Sequence, residues 1–280
     1  MAHAHAIPRI PLRGGVEVPQ LGFGVFQVPP EDTADIVSRA LDAGYRHVDT
    51  AAAYGNEAGV GQAIRASGLP RDEVFVATKL FNDQHDNAPT ALRRSLDELG
   101  MDYVDLYLIH WPVPSRDRYV QAWQSLIELQ AEGLARAIGV SNFQPAHLDR
   151  IIAETDVVPA VNQVELHPRL QQPALRRVDA ERGIVTEAWS PLAKGGVLDD
   201  PAVLELADKH DRTPAQVVLR WHLQLGNVVI PKSVTQSRIE ENLDVFGFEL
   251  GEDDMAAIEE LDRGQRTGPD PDTFVAPPGR

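Results

Sequence analysis

Four residues in the first 110 positions carry side chains whose chemistry fits together: Asp49, Tyr54, Lys79 and His110. Three of them end runs of aliphatic and β-branched residues, Arg46–Asp49, Val74–Lys79 and Val104–His110, and Tyr54 lies just beyond the first run. Singly, each has a plain structural role: a carboxylate after a strand is commonly a cap or turn, a histidine a satisfied core group, a tyrosine ordinary packing. As a set they suit proton transfer. A tyrosine hydroxyl with a free pKa of about 10 is a weak acid near neutrality, and a nearby ammonium favours its ionised form. Lys79 can supply that charge, Asp49 can keep Lys79 protonated and oriented, and His110 can hydrogen-bond and polarise a carbonyl oxygen. Such a group can protonate a carbonyl oxygen while hydride reaches the carbon. Hydrolysis needs an activated nucleophile or a metal, and neither a serine elbow nor paired metal ligands is legible beside these residues. His3 and His5 could at most chelate a metal weakly from an N-terminal arm.

These residues share a site only if neighbouring strands deliver them. After a short hairpin over residues 9–18, turned at Gly14-Gly15, strand-like runs alternate with amphipathic helical segments. The runs are Leu21–Gly24, Arg46–Asp49, Val74–Lys79, Val104–His110, Ala135–Val140, Ala160–Glu165, Ile184–Trp189 and Val228–Pro231. Between them, Ile36, Val37, Ala40 and Leu41 form one helical face, with Asp32 or Thr33 as its cap. Leu92, Leu96 and Leu99 follow Asn87-Ala-Pro89 in a second, Val120, Trp123, Leu126 and Ile127 stripe a third, and Leu175, Val178 and Ala180 mark a fourth. Eight such units predict an α/β chain closed as a (β/α)8 barrel, with a short N-terminal β-hairpin and an irregular C-terminal tail from Gly264. Residues 1–7 are expected as a flexible arm and 8–280 as one domain. In such a barrel, strands two, three and four end side by side on the face where active sites form. That is where Asp49, Lys79 and His110 fall.

A hydride donor would need a cofactor, yet the dinucleotide fingerprint is missing. Gly22-Phe-Gly24 and Gly59-Val-Gly61 begin it but lack its third glycine and its strand–turn–helix setting. A basic cluster does follow the last strand: Lys232 and Ser233 in Ile230-Pro-Lys-Ser-Val-Thr235, and Arg238 within a turn. Barrels commonly bind phosphate after strands seven and eight, and this set suits a dianionic phosphate. A surface ion network with Glu240 and Glu241 is the equal alternative on these residues alone.

The net charge of -16 over 280 residues disfavours nucleic acid as a partner. No apolar run approaches the roughly 20 residues of a membrane span, and Met1–Ala6 lacks a secretory pattern. With no cysteine, disulfides and thiolate chemistry are excluded. A cytoplasmic, monomeric protein is the expectation.

The strings Gly44-Tyr-Arg-His-Val-Asp-Thr-Ala51, Tyr54-Gly-Asn-Glu57, Thr78-Lys-Leu80, Leu108-Ile-His-Trp-Pro112, Ile138-Gly-Val-Ser-Asn-Phe143, Asn162-Gln-Val-Glu-Leu-His-Pro168 and Ile230-Pro-Lys-Ser233 occur in one order. In these, and from Leu21 to Val245, the chain resembles the aldo-keto reductase superfamily, most closely its bacterial 2,5-diketo-gluconate reductase-like members. The resemblance implies a barrel that binds NADPH across its C-terminal face and reduces a small carbonyl substrate. It implies Tyr54 as proton donor, Lys79 and Asp49 as its modulators, and His110 as carbonyl orienter. Ser141, Asn142 and Gln163 would hold the nicotinamide amide and Trp189 would stack on its ring. Ser190 and Leu192, with Lys194 beside them, would lie along the pyrophosphate. Lys232, Ser233 and Arg238 would take the 2′-phosphate, and Glu241 and Asn242 would face the adenine. Phe26, Phe81 and Trp111, with Phe274 from the tail, would wall the substrate pocket. Phe81 stands where many relatives carry tryptophan, which removes an indole donor from that wall.

Two other function classes share parts of this pattern. A barrel that binds NADPH as the redox-sensing subunit of an assembly would not need the full tetrad. A hydrolytic or lyase barrel built on Asp49 and His110 would leave Lys79 and Tyr54 without use.

Overall fold

The computed structural model describes residues 7–275. The glycine pair Gly14-Gly15, both with positive φ, turns the chain between β1 (Arg9–Pro11) and β2 (Glu17–Pro19), which pair antiparallel. Eight parallel strands follow: β3 (Phe23–Gly24), β4 (His47–Asp49), β5 (Phe75–Leu80), β6 (Val104–Ile109), β7 (Ala135–Ser141), β8 (Val161–Glu165), β9 (Val185–Trp189) and β10 (Val228–Val229). They pair in sequence order. The sheet closes on itself where Leu21 bridges Val229 and Gly22 N–H donates to the Val229 carbonyl at 2.9 Å. The expected (β/α)8 barrel is what forms.

Helices α1 (Pro30–Ala43), α2 (Glu57–Ala66), α3 (Ala88–Leu99), α4 (Tyr119–Ala131), α5 (Pro145–Thr155) and α6 (Pro173–Glu181) make the crossovers between successive strands. Two helices, α7 (Pro201–His210) and α8 (Pro214–Gln224), separate β9 from β10, and α9 (Gln236–Glu241) and α10 (Glu252–Glu259) follow. Neither Asp32 nor Thr33 caps α1. Pro30 sets the first turn with its fixed φ, and the Thr33 hydroxyl turns back to the Pro29 carbonyl at 2.8 Å. In α6 the buried stripe is Leu175 and Asp179, while Ala180 faces out, because Asp179 is the residue one full turn from Leu175.

Two cores sandwich the sheet. Outside it, the helices pack on the outward strand residues. Inside, Phe75, Ala77, Leu106, Leu108, Ala137, Val161 and Val228 fill the barrel, with Leu12, Val16 and Val18 of the hairpin among them. Because Phe75 opens β5, the hairpin plugs the N-terminal end. Ile7, just before it, is half-buried against the helical core; the rest of the expected arm, with His3 and His5, lies outside the described residues. Above the apolar filling, the interior turns polar: His47, Asp49, Lys79, Gln163 and Glu187 are all at least nine-tenths buried. Beyond α10, residues 260–275 form no helix or strand, as expected of the tail.

Candidate active site

The pairing register sets Asp49 opposite Ala77 and Lys79 opposite Leu108, and His110 N–H donates to the Leu80 carbonyl at 3.1 Å. Three adjacent strands therefore deliver a carboxylate, an amine and an imidazole to one rim. Lys79 is 1 % exposed and spends its three N–H bonds on Asp49 Oδ1 at 2.7 Å, Asp49 Oδ2 at 2.8 Å and the Thr50 carbonyl at 2.9 Å. A buried ammonium is tolerated only with this degree of compensation. Tyr54 comes from a one-turn helix, Ala52–Tyr54, ended by Gly55 in the left-handed region. Its ring centroid stands 5.3 Å from Lys79 Nζ and 5.8 Å from the His110 ring, edge-on.

Aromatic rings surround this group. Phe26 is 5.1 Å from Tyr54, Phe81 is 6.3 Å from His110, Trp111 stacks near His110 at 6.5 Å, and Phe274 lies 4.5 Å from Trp111. Phe26 is half exposed, at 51 %. The four pocket residues named from sequence thus meet around Tyr54 and His110.

Burial governs the protonation of the set. It opposes the charge of Lys79, but Asp49, with Tyr54 and Glu187 adding to it, outweighs burial and holds the amine above its ordinary range. Burial raises the Tyr54 hydroxyl, and the Lys79 ammonium is the main force pulling it back down. The net direction is upward, so at neutral pH the phenol keeps its proton. Burial, then Lys79, pushes His110 well below the usual imidazole range, so the ring is neutral. His110 Nδ1 is buried without a hydrogen-bond partner.

A second group lies across the barrel mouth. Gln163 Nε2 donates to Asp49 Oδ2 at 2.8 Å. The Ser141 hydroxyl donates to the Gln163 carbonyl at 2.8 Å. Asn142, with φ 63, turns the chain out of β7 and donates Nδ2 to the His110 carbonyl at 2.9 Å and to Ser141 Oγ at 3.1 Å. Its Oδ1 accepts from Trp189 Nε1 at 2.9 Å, and Trp189 is half-buried. Ser190 follows in the left-handed region, and Leu192 is half-buried.

Further along the rim, Lys232 and Arg238 are exposed, and among the described residues neither side chain makes an ion pair or hydrogen bond. Glu240 accepts instead from Gln236 at 2.6 Å, so the alternative ion network with Glu240 and Glu241 does not form. Ser233 is buried, its hydroxyl accepting from Thr235 N–H at 3.2 Å; Glu241 is exposed and Asn242 buried at the end of α9.

The sequence profile of the Aldo/keto reductase family matches residues 20–263. The chain belongs to the aldo/keto reductase family. It is 55 % identical over 269 residues to an aldo-keto reductase of Mycolicibacterium smegmatis, covering 95 % of this chain and 98 % of that one. It is 54 % identical over 267 residues to methylglyoxal reductase DkgA of Escherichia coli, covering 95 % and 97 %. A variant of Gox0644 solved in complex with NADPH matches with a TM-score of 0.93 at 49 % identity, over 97 % of this chain and all of that one.

This aldo-keto reductase is thus an oxidoreductase, and its barrel interior holds polar groups to which sequence reasoning gave no part. Glu187 is 1 % exposed, and its Oε1 lies 3.6 Å from His47 Nε2; neither Glu187 oxygen has a hydrogen-bond partner. Burial and neighbouring Asp49 hold that carboxyl well above its usual range, so it is neutral at pH 7. Glu165 is fully buried at the end of β8 and accepts hydrogen bonds from Thr267 and Gly268 of the tail. The signal was strand periodicity: His47 is two residues from Asp49, Glu165 from Gln163 and Glu187 from Trp189, so each shares the inward face of a residue already singled out. Among the described residues no cluster of three or more His, Asp or Glu could hold a metal ion, and no helix is long and apolar enough to cross a membrane.

Proposed function

We propose that the protein reduces an aldehyde, ketone or dicarbonyl to the alcohol with NADPH, using Tyr54 as general acid, Lys79 and Asp49 as its tuning pair and His110 as carbonyl orienter. The observation that carries the reading is the fully compensated Lys79 ammonium beneath the Tyr54 ring, beside a neutral imidazole. NADPH, when bound, supplies hydride to the carbonyl carbon. The protein handles the oxygen. Tyr54 enters the reaction protonated, and as its proton leaves, the phenolate charge grows within the field of Lys79. Lys79 stays charged because Asp49 takes two of its three N–H bonds. With no partner for Nδ1, the His110 tautomer that orphans no buried N–H carries its proton on Nε2, which then donates to the carbonyl oxygen.

The residues fit the cofactor on their own terms. Arg238 and Lys232 are cations without an ion pair among the described residues, in a protein of charge -16, as a 2′-phosphate requires, with Ser233 beside them. Glu241 and Asn242 then face the adenine. Ser190 and Leu192 line the pyrophosphate, and Ser141, Asn142 and Gln163 hold the carboxamide. The Gln163 and Asn142 amide N–H groups are already committed inside the protein, which leaves the Gln163 oxygen, and the second lone pair of Asn142 Oδ1 beside Trp189, to accept from the carboxamide NH2. Trp189 offers its indole to the nicotinamide. A methylglyoxal reductase and an NADPH complex among the relatives support both halves of the reading. Residues 8–280 act as a single catalytic domain, in a cytoplasmic monomer.

Tyr54→Phe tests it. The variant is expected to bind NADPH as the wild type does, while turnover of methylglyoxal falls by roughly 10²–10⁴-fold, the span of general-acid contributions. Unchanged turnover rejects Tyr54 as the acid.

A further inference from the structure

The tail of the chain is tied to the rim by a buried carboxylate that the reduction chemistry does not use. Glu165, fully buried, receives Thr267 N–H at 2.5 Å, the Thr267 hydroxyl at 2.6 Å, and Gly268 N–H at 3.1 and 3.2 Å to its two oxygens; His167 Nε2 lies 3.1 Å away. Among the described residues no lysine or arginine pairs with it. Burial works against its charge, but the His167 ring, the Thr267 hydroxyl and the two tail N–H groups overcome it and hold the carboxyl down at about 2. The site is a nest of donors built for an anion, with the anion supplied by the barrel and most of the donors by the tail.

What this fastening holds is Gly268 against Trp189. A Cβ at position 268 would stand 2.5 Å from Trp189 Cη2 and 3.2 Å from its Cζ3, so only glycine lets the strap pass this close to the six-membered ring. The far side of the indole is fixed by its Nε1–H bond to Asn142 Oδ1. Lys194 Nζ also donates to the Thr267 carbonyl at 2.9 Å, tying the strap to the loop after β9. A residue two positions from Gln163 on one strand thus sets the position of an aromatic ring two residues beyond Glu187 on the next.

We propose that Glu165 is a positioning residue for the cofactor: by fastening Thr267 and Gly268 it holds the Trp189 indole in the orientation that receives a nicotinamide ring. The proposal rests on the NADPH reading above and goes beyond it. Without the fastening, the strap lifts, the indole gains freedom, and binding must pay to order it again.

Full-length wild type, Glu165→Gln, Glu165→Asp, Thr267→Val and Gly268→Ala are titrated with NADPH while tryptophan fluorescence is followed. KM for NADPH and kcat with methylglyoxal are measured on the same samples, and hydrogen exchange is read over residues 264–275. The expected result is a rise of about tenfold in the NADPH dissociation constant for Glu165→Gln and Gly268→Ala, with partial recovery in Glu165→Asp. KM should rise by a larger factor than kcat falls, and exchange in the strap should quicken. Should Glu165→Gln fail to fold, Thr267→Val and Gly268→Ala carry the test, since exposed Thr267 and half-buried Gly268 lie outside the core. Faster exchange in the strap with an unchanged dissociation constant overturns the proposal and leaves the reductase reading standing. A wild type that does not bind NADPH overturns the reductase reading itself.

Discussion

Gln163, on β8, reaches across the barrel to donate its amide to Asp49 Oδ2 on β4 at 2.8 Å, so one carboxylate oxygen serves both the lysine and the glutamine. The side chain that fixes Asp49 is also the one assigned to the nicotinamide amide. Gln163→Glu removes the donor and sets a second carboxyl against Asp49 in a buried site. The expected outcome is a KM for NADPH raised by about tenfold or more at pH 8, with the defect shrinking toward pH 5 as the new carboxyl takes up a proton. Initial rates against NADPH concentration at the two pH values check this; a defect independent of pH sinks it.

Arg238 is expected to discriminate between the two nicotinamide dinucleotides. It is exposed and without an ion pair among the described residues, so its removal breaks no ion pair there. Charge-assisted hydrogen bonds contribute about 1.5–3 kcal/mol, equivalent to roughly 10–100-fold in affinity. Arg238→Ala should weaken NADPH by a factor in that range and leave NADH within about twofold. Isothermal titration with both dinucleotides decides it, and equal weakening removes the 2′-phosphate role.

The tetrad was legible because three of its members fall at strand ends and Tyr54 just beyond one of them. Their types and places in the run imply chemistry and geometry together, and pairing in sequence order does the rest. The residues assigned to the cofactor were reached only through resemblance. Asn142 reads as a turn residue, and it is one, with φ 63, while its amide also spans His110, Ser141 and Trp189. The meeting of Glu165 with Gly268 was not legible, since it joins positions 103 residues apart through a segment without regular structure. The cap of α1 was misplaced for a local reason: a proline at the first helical position replaces side-chain capping.

The Asp49–Lys79 pair predicts unequal costs for its two single replacements. Removing one partner of a buried ion pair strands the other, at about 3–5 kcal/mol. Lys79→Met leaves Asp49 with only Gln163 and is expected to fall in that range by chemical denaturation. Asp49→Asn should cost less, because burial and then the Asp49 charge hold the Glu187 carboxyl above its usual range, and losing Asp49 removes the second of these and eases the ionisation of Glu187 to meet Lys79. Equal losses for the two variants count against that compensation. Both variants lose reductase turnover.

Gly61 on α2 approaches the last turn of α3 so closely that a Cβ would stand 1.9 Å from the Leu99 carbonyl oxygen and 2.8 Å from its Cα. These are backbone atoms and cannot rotate away. Although alanine has the higher helix propensity by about 1 kcal/mol, Gly61→Ala should lower stability by roughly 2 kcal/mol or more as the two helices separate. A melting temperature at or above that of the wild type would contradict the close approach.

Asp179 predicts a stability that falls as pH rises through neutrality. The residue is fully buried on α6, with Asn162 Nδ2 at 3.3 and 3.4 Å and the Thr186 hydroxyl at 3.1 Å as its donors and no cation in hydrogen-bond contact. Burial raises its carboxyl to about 7, only partly offset by those donors and by Arg182. Between the unfolded value of about 4 and the folded value, the native state holds a proton that the unfolded chain has released. Stability therefore declines with pH across that window and levels off above it. Asp179→Asn keeps an oxygen for the same donors and has no charge to bury. Denaturant melts at pH 5 and pH 8 should show the variant gaining on the wild type at the higher pH by roughly 1–3 kcal/mol. A difference between the two proteins that stays constant across the window would place the ionised carboxylate in a site that already compensates it.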